Sequence, residues 1–382
     1  MNTRNERGFA LAGAILGLVV IASLIAGAFF SAHQELKIGQ NSQTFQRAFD
    51  AAEAGLDAAV ASWNASSYNN LAVGDSATLT GTVENAGTYR SAVRRLNDEL
   101  FLIRSTGTDT RGVSQRTLAQ LVRLQFVAID INAGLTTRGS LKLGGSSYID
   151  GVDVPPASWS GCATTGLDTL PGILTRDSSQ IETSGCSNFS CVRGDPKVQN
   201  DPSINDSTFF SFGDINWDEL VSMRTITIPA GTGTITSAAP VGTSTTCVIN
   251  PDPNAYSTNW GEPQRTAPYV AGCINHFPII YAAGNLKITG GRGQGILLVN
   301  GDLEVQGGFK FFGPVIVRGS LRTAGTGGHF NGGVMAANVD LEQSSVLGDA
   351  VIRYSSCAVI QATQANSPGR MLRQRAWAEI TF

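Results

Sequence analysis

No charged residue occurs from Phe9 to Ser31. As a helix this stretch spans about 30 Å, the thickness of a bilayer core. Arg4 and Arg7 precede it, which sets the N-terminus on the cytoplasmic side and the rest of the chain outside. The pattern then continues: Phe45, Phe49, Ala52, Leu56, Val60 and Trp63 recur at spacings of three and four, one apolar stripe that a sheet would cover. No proline occurs before Pro155, so one helix of about 50 residues is expected to run from the membrane into the soluble region. A secretory signal cut after "AGA", Ala26 to Ala28, is the competing reading, but it leaves the in-phase continuation unexplained.

The remainder reads as β structure. Among 382 residues there are 44 glycines and only 15% charged side chains, a balance that suits turn-rich sheets better than helices. A net charge of −3 gives no bulk attraction to nucleic acid, and no nucleic-acid partner is expected. Residues 76 to 127 break into four alternating segments, with Asn97-Asp98 as a tight turn. Leu100, Leu102 and Ala92 are the core contributors expected there.

Four stretches further on align without gaps: "PIIYAAGNLKI" from Pro278, "GILLVNGDLEV" from Gly295, "GPVIVRGSLRT" from Gly313 and "GVMAANVDLEQ" from Gly333. Their starts lie 17, 18 and 20 residues apart, and a fifth copy, "AGLTTRGSLKL", starts at Ala133. A period of about 18 divides into three short strands per coil, as in a narrow β-helix. Leu286, Leu303, Leu321 and Leu341 would form an inward column, with glycine at the corners for turns with positive φ. Lys287, Glu304, Arg322 and Glu342 would stack outward with alternating sign, about 4.8 Å apart. A meander of antiparallel hairpins is the alternative, though hairpins require no fixed period.

Residues 150 to 276 form an insertion rich in Gly, Ser, Thr, Pro and Asn, expected as ordered but irregular loops around one hairpin, "MRTITIPAGTGTITS". Five of the six cysteines lie there: Cys162, Cys186, Cys191, Cys247 and Cys273, with Cys357 beyond. Their even number, their position after the apolar segment and the absence of CxxC spacing point to disulfides rather than zinc. Cys247 with Cys273 would close a proline-rich loop, and Cys162 has Cys186 or Cys191 as partner. Trp159, Trp217 and Trp260 are expected to be buried. "NPDPN", Asn250 to Asn254, alternates oxygen side chains as calcium loops do, but it lacks their glycine and terminal glutamate.

No catalytic set emerges. GxSxG, HExxH and Walker A patterns are absent, and "GGRGQG" at 290–295 has no helix after it. The chain is therefore read as no enzyme and as holding no cofactor or metal. A carbohydrate-active β-helix is the enzymatic alternative.

The opening "ERGFALAG", the apolar run to Phe30 and "FQRAFDAAEAGL" together resemble type IV pilin-like proteins, most closely the PilX-type minor pilin N-terminal family. The resemblance covers residues 4 to about 63. It implies cleavage between Gly8 and Phe9 by a prepilin peptidase, methylation of the new N-terminus, and a helix held in the bacterial inner membrane until it is drawn into a filament. Phe9, Leu11, Ile15, Leu18, Ile21, Leu24, Phe29 and Phe30 would then meet other pilin subunits and the pilus assembly machinery. Major pilins carry glutamate at the fifth mature position, where this chain has Gly13, a departure in which it resembles minor subunits of the PilX type and tip-located K-type pseudopilins.

The expected fold is thus an α+β pilin-like module, a long helix with a small antiparallel sheet, followed by an all-β solenoid with a disulfide-containing loop insertion. The boundaries are a leader 1–8, an assembly helix 9–31, its soluble half 32–70, a sheet 71–128, a first coil 129–149, the insertion 150–276 and the solenoid with C-terminal segment 277–382. The function expected is that of a minor pilin that helps pilus assembly and displays an outward domain for adhesion or cell contact. That domain starts in the periplasm and becomes extracellular in the pilus; a surface or glycan ligand for it stays open. Alternatives are a K-like pseudopilin of type II secretion and a static membrane-anchored envelope protein.

Overall fold

The computed structural model describes residues 7–125, 129–162, 168–212, 215–337, 344–346, 349–372 and 377–380. They divide into two units: one comprises the chain up to Trp63 with Leu71–Arg123 and the residues from Arg370 on; the other comprises Asn64–Asn70 and Leu124–Gly369.

The first unit is built on a 55-residue helix, α1 (Arg7–Ala61). Four strands, β1 (Ser76–Val83), β2 (Gly87–Arg95), β3 (Leu100–Asp109) and β4 (Gln115–Leu124), pair antiparallel in chain order. The tight turn falls where the sequence suggests: the Asn97 side-chain oxygen accepts from the backbone of Glu99 and Leu100. Asp109 does the same work between β3 and β4, accepting from the backbone of Arg111, Val113 and Ser114.

The contact between helix and sheet differs from the expected apolar stripe. The buried side of α1 is Thr44, Ala48, Ala51, Ala52, Gly55, Leu56 and Ala59, while Phe45 is exposed and Phe49 and Val60 are half-buried. Small residues on the helix allow close approach, and the sheet supplies the bulk. A Cβ on Gly107 would lie 2.1 Å from the Ala48 carbonyl oxygen and 2.3 Å from the Ala52 nitrogen. Ser91 Oγ donates to the Gly55 carbonyl at 2.9 Å, which only backbones this close permit. The sheet face is shifted by one residue too: Val93, Phe101 and Ile103 are fully buried, whereas Ala92, Leu100 and Leu102 are half-buried on the opposite face. Trp63 closes the end, edge-on to Phe101.

The C-terminal residues correct the boundary at 277–382. Trp377–Ile380 pairs antiparallel with β4, Trp377 opposite Gln120 and Ile380 opposite Thr117. The second unit is therefore inserted in the chain between two neighbouring strands of the first sheet.

The second unit is mostly β and contains three parallel sheets. Each circuit, or rung, gives one strand to each sheet, except that rung 1 supplies strands to two of them. The stack begins with rung 1 (Ile226–Ile228 and Thr234–Ile235) and continues with rung 2 (Ile279–Ala282, Leu286–Ile288, Arg292–Gln294). Rung 3 (Ile296–Val299, Leu303–Val305, Phe309–Phe312) and rung 4 (Val315–Val317, Leu321–Thr323, Gly328–Gly332) come next. Rung 5 (Val334–Ala336, Ser344–Val346, Val351–Tyr354) lies against rung 6 (Leu135–Thr137, Leu141–Gly144, Tyr148–Asp150). Rung 7 (Ile173–Thr175, Ile181–Ser184, Val192–Arg193) and the strand Val198–Asn200 complete the stack.

The spatial order is therefore a permutation of the chain order. The chain starts in the middle at rung 6, winds outward through rung 7, crosses back over residues 201–225, and winds from rung 1 to rung 5 until rung 5 meets rung 6. The segment 150–276, expected as irregular loops, supplies rung 7 and rung 1. Its presumed hairpin is not one: Ile226–Ile228 and Thr234–Ile235 each run parallel to a strand of rung 2.

The repeat's glycines have two jobs. Gly295, Gly313 and Gly333, at the start of their copies, have φ of 113°, 127° and 127°, open to glycine alone. Gly301 and Gly319 are needed for closeness instead, since a Cβ on either would come within 2.4 Å of the Asn285 or Asp302 side-chain oxygen of the preceding rung. Those oxygens accept the next rung's backbone N–H, Asp302 to Asn285 at 2.9 Å and Ser320 to Asp302 at 2.8 Å, which explains the polar residue after each glycine.

One sheet is buried on both faces. Its inward column runs Ile226, Ile280, Leu297, Val315, Val334, Leu135, Ile173, Val198. Its other face, with Leu298, Ile316 and Met335, is covered by the return crossover, through Phe209, Phe212 and Trp217, and by the helix Ser356–Asn366. Burial on both faces is why "ILLV" and "VIV" are continuously apolar rather than alternating. Trp159, Trp217 and Trp260 are all buried, and Trp260 fills the space beside Gly293.

Candidate functional site

Two surfaces and one buried cluster carry the residues of interest. The first surface is the apolar part of α1. Every residue from Leu11 to Gln43 is exposed, including Leu11, Ile15, Leu18, Ile21, Leu24, Phe29 and Phe30. Its most apolar 18-residue window has a mean hydropathy of 2.5, and none of that window is buried. Gly8 and Phe9 lie in the first turn of the helix; residues 1–6, with Arg4, lie outside the described residues. An exposed apolar area of this size marks a contact surface, and the helix is long and apolar enough to cross a membrane.

The second surface is the outward row of one parallel sheet. Lys287 stands opposite Glu304, and Glu304 opposite Arg322. The Lys287 ammonium donates to Glu304 Oε1 at 2.9 Å, and Gln306 donates to the same oxygen at 2.7 Å. The Lys287 hydrogen bond, with the nearby charges of Lys287 and Arg322, holds the Glu304 carboxyl below the usual range against a small cost of burial. Behind the row, Leu286, Leu303 and Leu321 are buried in one column. Leu341 and Glu342 lie outside the described residues, and the position in register with Arg322 is Ser345, not Glu342. Ser345 stands three positions later in the chain than Glu342, where the ungapped alignment places the match. The row then continues through Lys142 and Glu182. Lys142 was legible in the fifth copy, "SLKL"; Glu182 carried no signal, because rung 7 has lost the repeat. A groove of about 350 Å³ lies along the row, lined by Thr232, Thr234, Asn285, Asp302 and Ser320 together with Lys287, Glu304 and Arg322.

The buried cluster lies at the edge of rungs 1 and 2. The Glu262 side chain is fully buried and takes both Arg292 Nε and Nη2 at 2.7 Å, with the backbone N–H of Gln264 and Val270 at 3.0 and 2.9 Å. Burial works to raise its pKa, but the Arg292 fork and the two N–H donors outweigh it and hold the carboxyl below its ordinary value. Arg265 lies over the Trp159 ring and is pulled down to about 10 by burial. Burial likewise brings His276 down to about 4. Every member of this cluster is satisfied by a partner within the fold, which is the signature of structure rather than of a waiting ligand site.

The six cysteines form three disulfides: Cys162–Cys357, Cys186–Cys191 and Cys247–Cys273. Cys162 thus reaches neither Cys186 nor Cys191, which are five residues apart and join across one tight turn. In "NPDPN" the oxygens face inward to the loop: Asn250 accepts from the Asp252 N–H, Asp252 from the Asn254 N–H, and Asn254 from Arg224. Arg292–Gln294 of "GGRGQG" is a strand of rung 2. Among the described residues no three His, Cys, Asp or Glu side chains converge as metal ligands do.

No protein-family model and no curated protein matches the sequence. Among solved structures, the competence-associated pilin ComZ from Thermus thermophilus is similar over 88% of this chain and 97% of its own length, at 12% sequence identity and a TM-score of 0.21.

Proposed function

We propose that the chain is a minor pilin of PilX type. The observation that carries this reading is the pairing of an uncovered apolar helix half, Leu11 to Phe30, with a second half whose alanine and glycine face lies on an antiparallel sheet. The first half suits a bilayer before assembly and a bundle of like helices after it. The second half fixes the globular unit to the end of that helix. Prepilin peptidase would cut between Gly8 and Phe9, and the assembly machinery would draw the helix into a filament. Gly13 leaves no carboxylate at the fifth mature position to meet a neighbour's terminal amine, which favours a rare or tip-located subunit. The same observation admits a K-like pseudopilin of type II secretion as second reading.

The parallel-sheet unit is read as a β-solenoid of seven rungs, displayed outward for adhesion or cell contact, with no catalytic role. The test is to shear surface filaments from cells and look for peptides of this chain by mass spectrometry. The expected result is their presence in the filament fraction and their retention in the membrane when prepilin peptidase is absent. Peptides found only in the membrane fraction in both backgrounds would overturn the reading.

A further inference from the structure

The charged row on the parallel-sheet unit has a property of its own, independent of how the helix is used. From rung 2 to rung 7 its register positions are Lys287, Glu304, Arg322, Ser345, Lys142 and Glu182. Lys142, Glu182 and Arg322 are exposed, and the side chains of Lys287 and Glu304 keep 40% and 31% of their surface. Read backwards, the row is complementary in charge to itself. Laid antiparallel on a second copy, with the centre between rungs 4 and 5, Lys287 faces Glu182 and Glu304 faces Lys142. Two-fold symmetry repeats both pairs, and Arg322 faces position 345.

Other placements are worse. A centre on Arg322 sets Arg322 against itself and Lys287 against Lys142. A centre on position 345 sets Glu304 against Glu182 and Arg322 against Lys142. Parallel rows in register put every charge against its like. Moving the centre one full rung either way leaves only the Arg322 pairs, with Glu304 or with Glu182, and loses all four lysine–glutamate pairs. Opposite charges across an interface favour this register, which has four lysine–glutamate pairs; the others bring like charges together or keep fewer opposite pairs, parallel rows offset by one rung keeping three without closing on a two-fold axis.

We infer that this face docks on the same face of a second copy of this chain, the two rows antiparallel about a two-fold axis lying in the interface across the rows. Such a contact is isologous and closes as a pair. The contact face is narrow, six strands at about 4.8 Å, so the association is salt-sensitive and modest in strength.

The test uses the full chain, one copy per lipid nanodisc, so that the apolar helices stay apart, with pairing read by sedimentation velocity at low salt. One variant exchanges its charges at rungs 6 and 7, Lys142→Glu with Glu182→Lys. The other exchanges them at rungs 2 and 3, Lys287→Glu with Glu304→Lys. Each alone meets like with like and should pair roughly tenfold or more weakly than the natural chain. Mixed together they are complementary at all four contacts and should pair again, which a folding defect would not allow. A carbodiimide, which joins only touching amines and carboxylates, should also couple Lys142 to Glu304 in the natural chain. Within one copy these lie three rungs apart, about 14 Å. A natural chain that stays single, a variant that pairs undiminished, or a mixture that stays apart would each overturn the inference. So would carbodiimide products confined to neighbours such as Lys287 and Glu304.

Discussion

Cys162 and Cys357 are bonded across the one junction of the stack that no chain corner spans. Cys162 follows rung 6 and Cys357 follows rung 5, and these two rungs touch although the residues are 195 apart in sequence. Every other pair of adjacent rungs is consecutive in the chain. Here backbone hydrogen bonds, the packing beneath Met335 and this disulfide hold the two ends of the wound chain together.

Removing that bond should therefore cost more than removing its neighbours. Loop-closure entropy gives about 5 kcal/mol for a loop of this length, against about 2 kcal/mol for the loop of Cys186–Cys191. Cys162→Ser with Cys357→Ser should lower the thermal midpoint of the parallel-sheet unit well beyond Cys186→Ser with Cys191→Ser. Amide exchange should quicken first in Leu135–Thr137 and Val334–Ala336.

The face of the doubly covered sheet gives a second expectation. Leu298 points away from the interior column, yet it is fully buried beneath the return crossover. Leu298→Ala should cost about 2–5 kcal/mol in denaturant unfolding. Lys310→Ala, at an exposed outward position of another sheet, should stay within about 0.5 kcal/mol of the natural chain.

On the first unit, Gly107→Val should prevent the helix from seating. A Cβ there meets the backbone of Ala48 and Ala52, which cannot move without lifting α1. The expected loss is about 3 kcal/mol or more, read as early unfolding of this unit and new exposure of Trp63 fluorescence.

A pH dependence follows from His276. Burial holds its folded pKa at about 4, below the ordinary 6.5 or so of the unfolded chain. As pH falls below 6.5 the unfolded chain takes up a proton that the folded chain refuses, so stability drops until pH nears 4. The full drop is about 3 kcal/mol. His329, lowered by burial and then by Lys310 and Arg353, adds to it with the same sign. Urea midpoints measured from pH 7 to pH 4 should show this slope, and His276→Gln should remove most of it.

Local patterns in the chain carried much of this architecture. The long helix, the four antiparallel strands, the Asn97 turn and the run Lys287, Glu304, Arg322 are all set by residues close in sequence, and the 17- to 18-residue spacing of three copies kept them in register. What stayed hidden depends on distant partners. Trp377–Ile380 finds β4 more than 250 positions back, and nothing in its few residues names that strand. Rung 7 has no repeat signature because it ends the stack and is held by the Cys186–Cys191 loop and Val198. The alanine face of α1 was masked by Phe45 and Phe49, which hydropathy ranks above the small residues that in fact touch the sheet. Arg116 over the Phe45 ring shows where that aromatic goes instead.

The central claim is that the exposed helix is a filament-assembly helix released at Gly8. The most direct measurement is the mass of the N-terminal peptide of the protein purified from membranes. A peptide that begins at methylated Phe9 is the predicted result. An intact Met1 terminus, or a terminus at Phe29, would contradict the account.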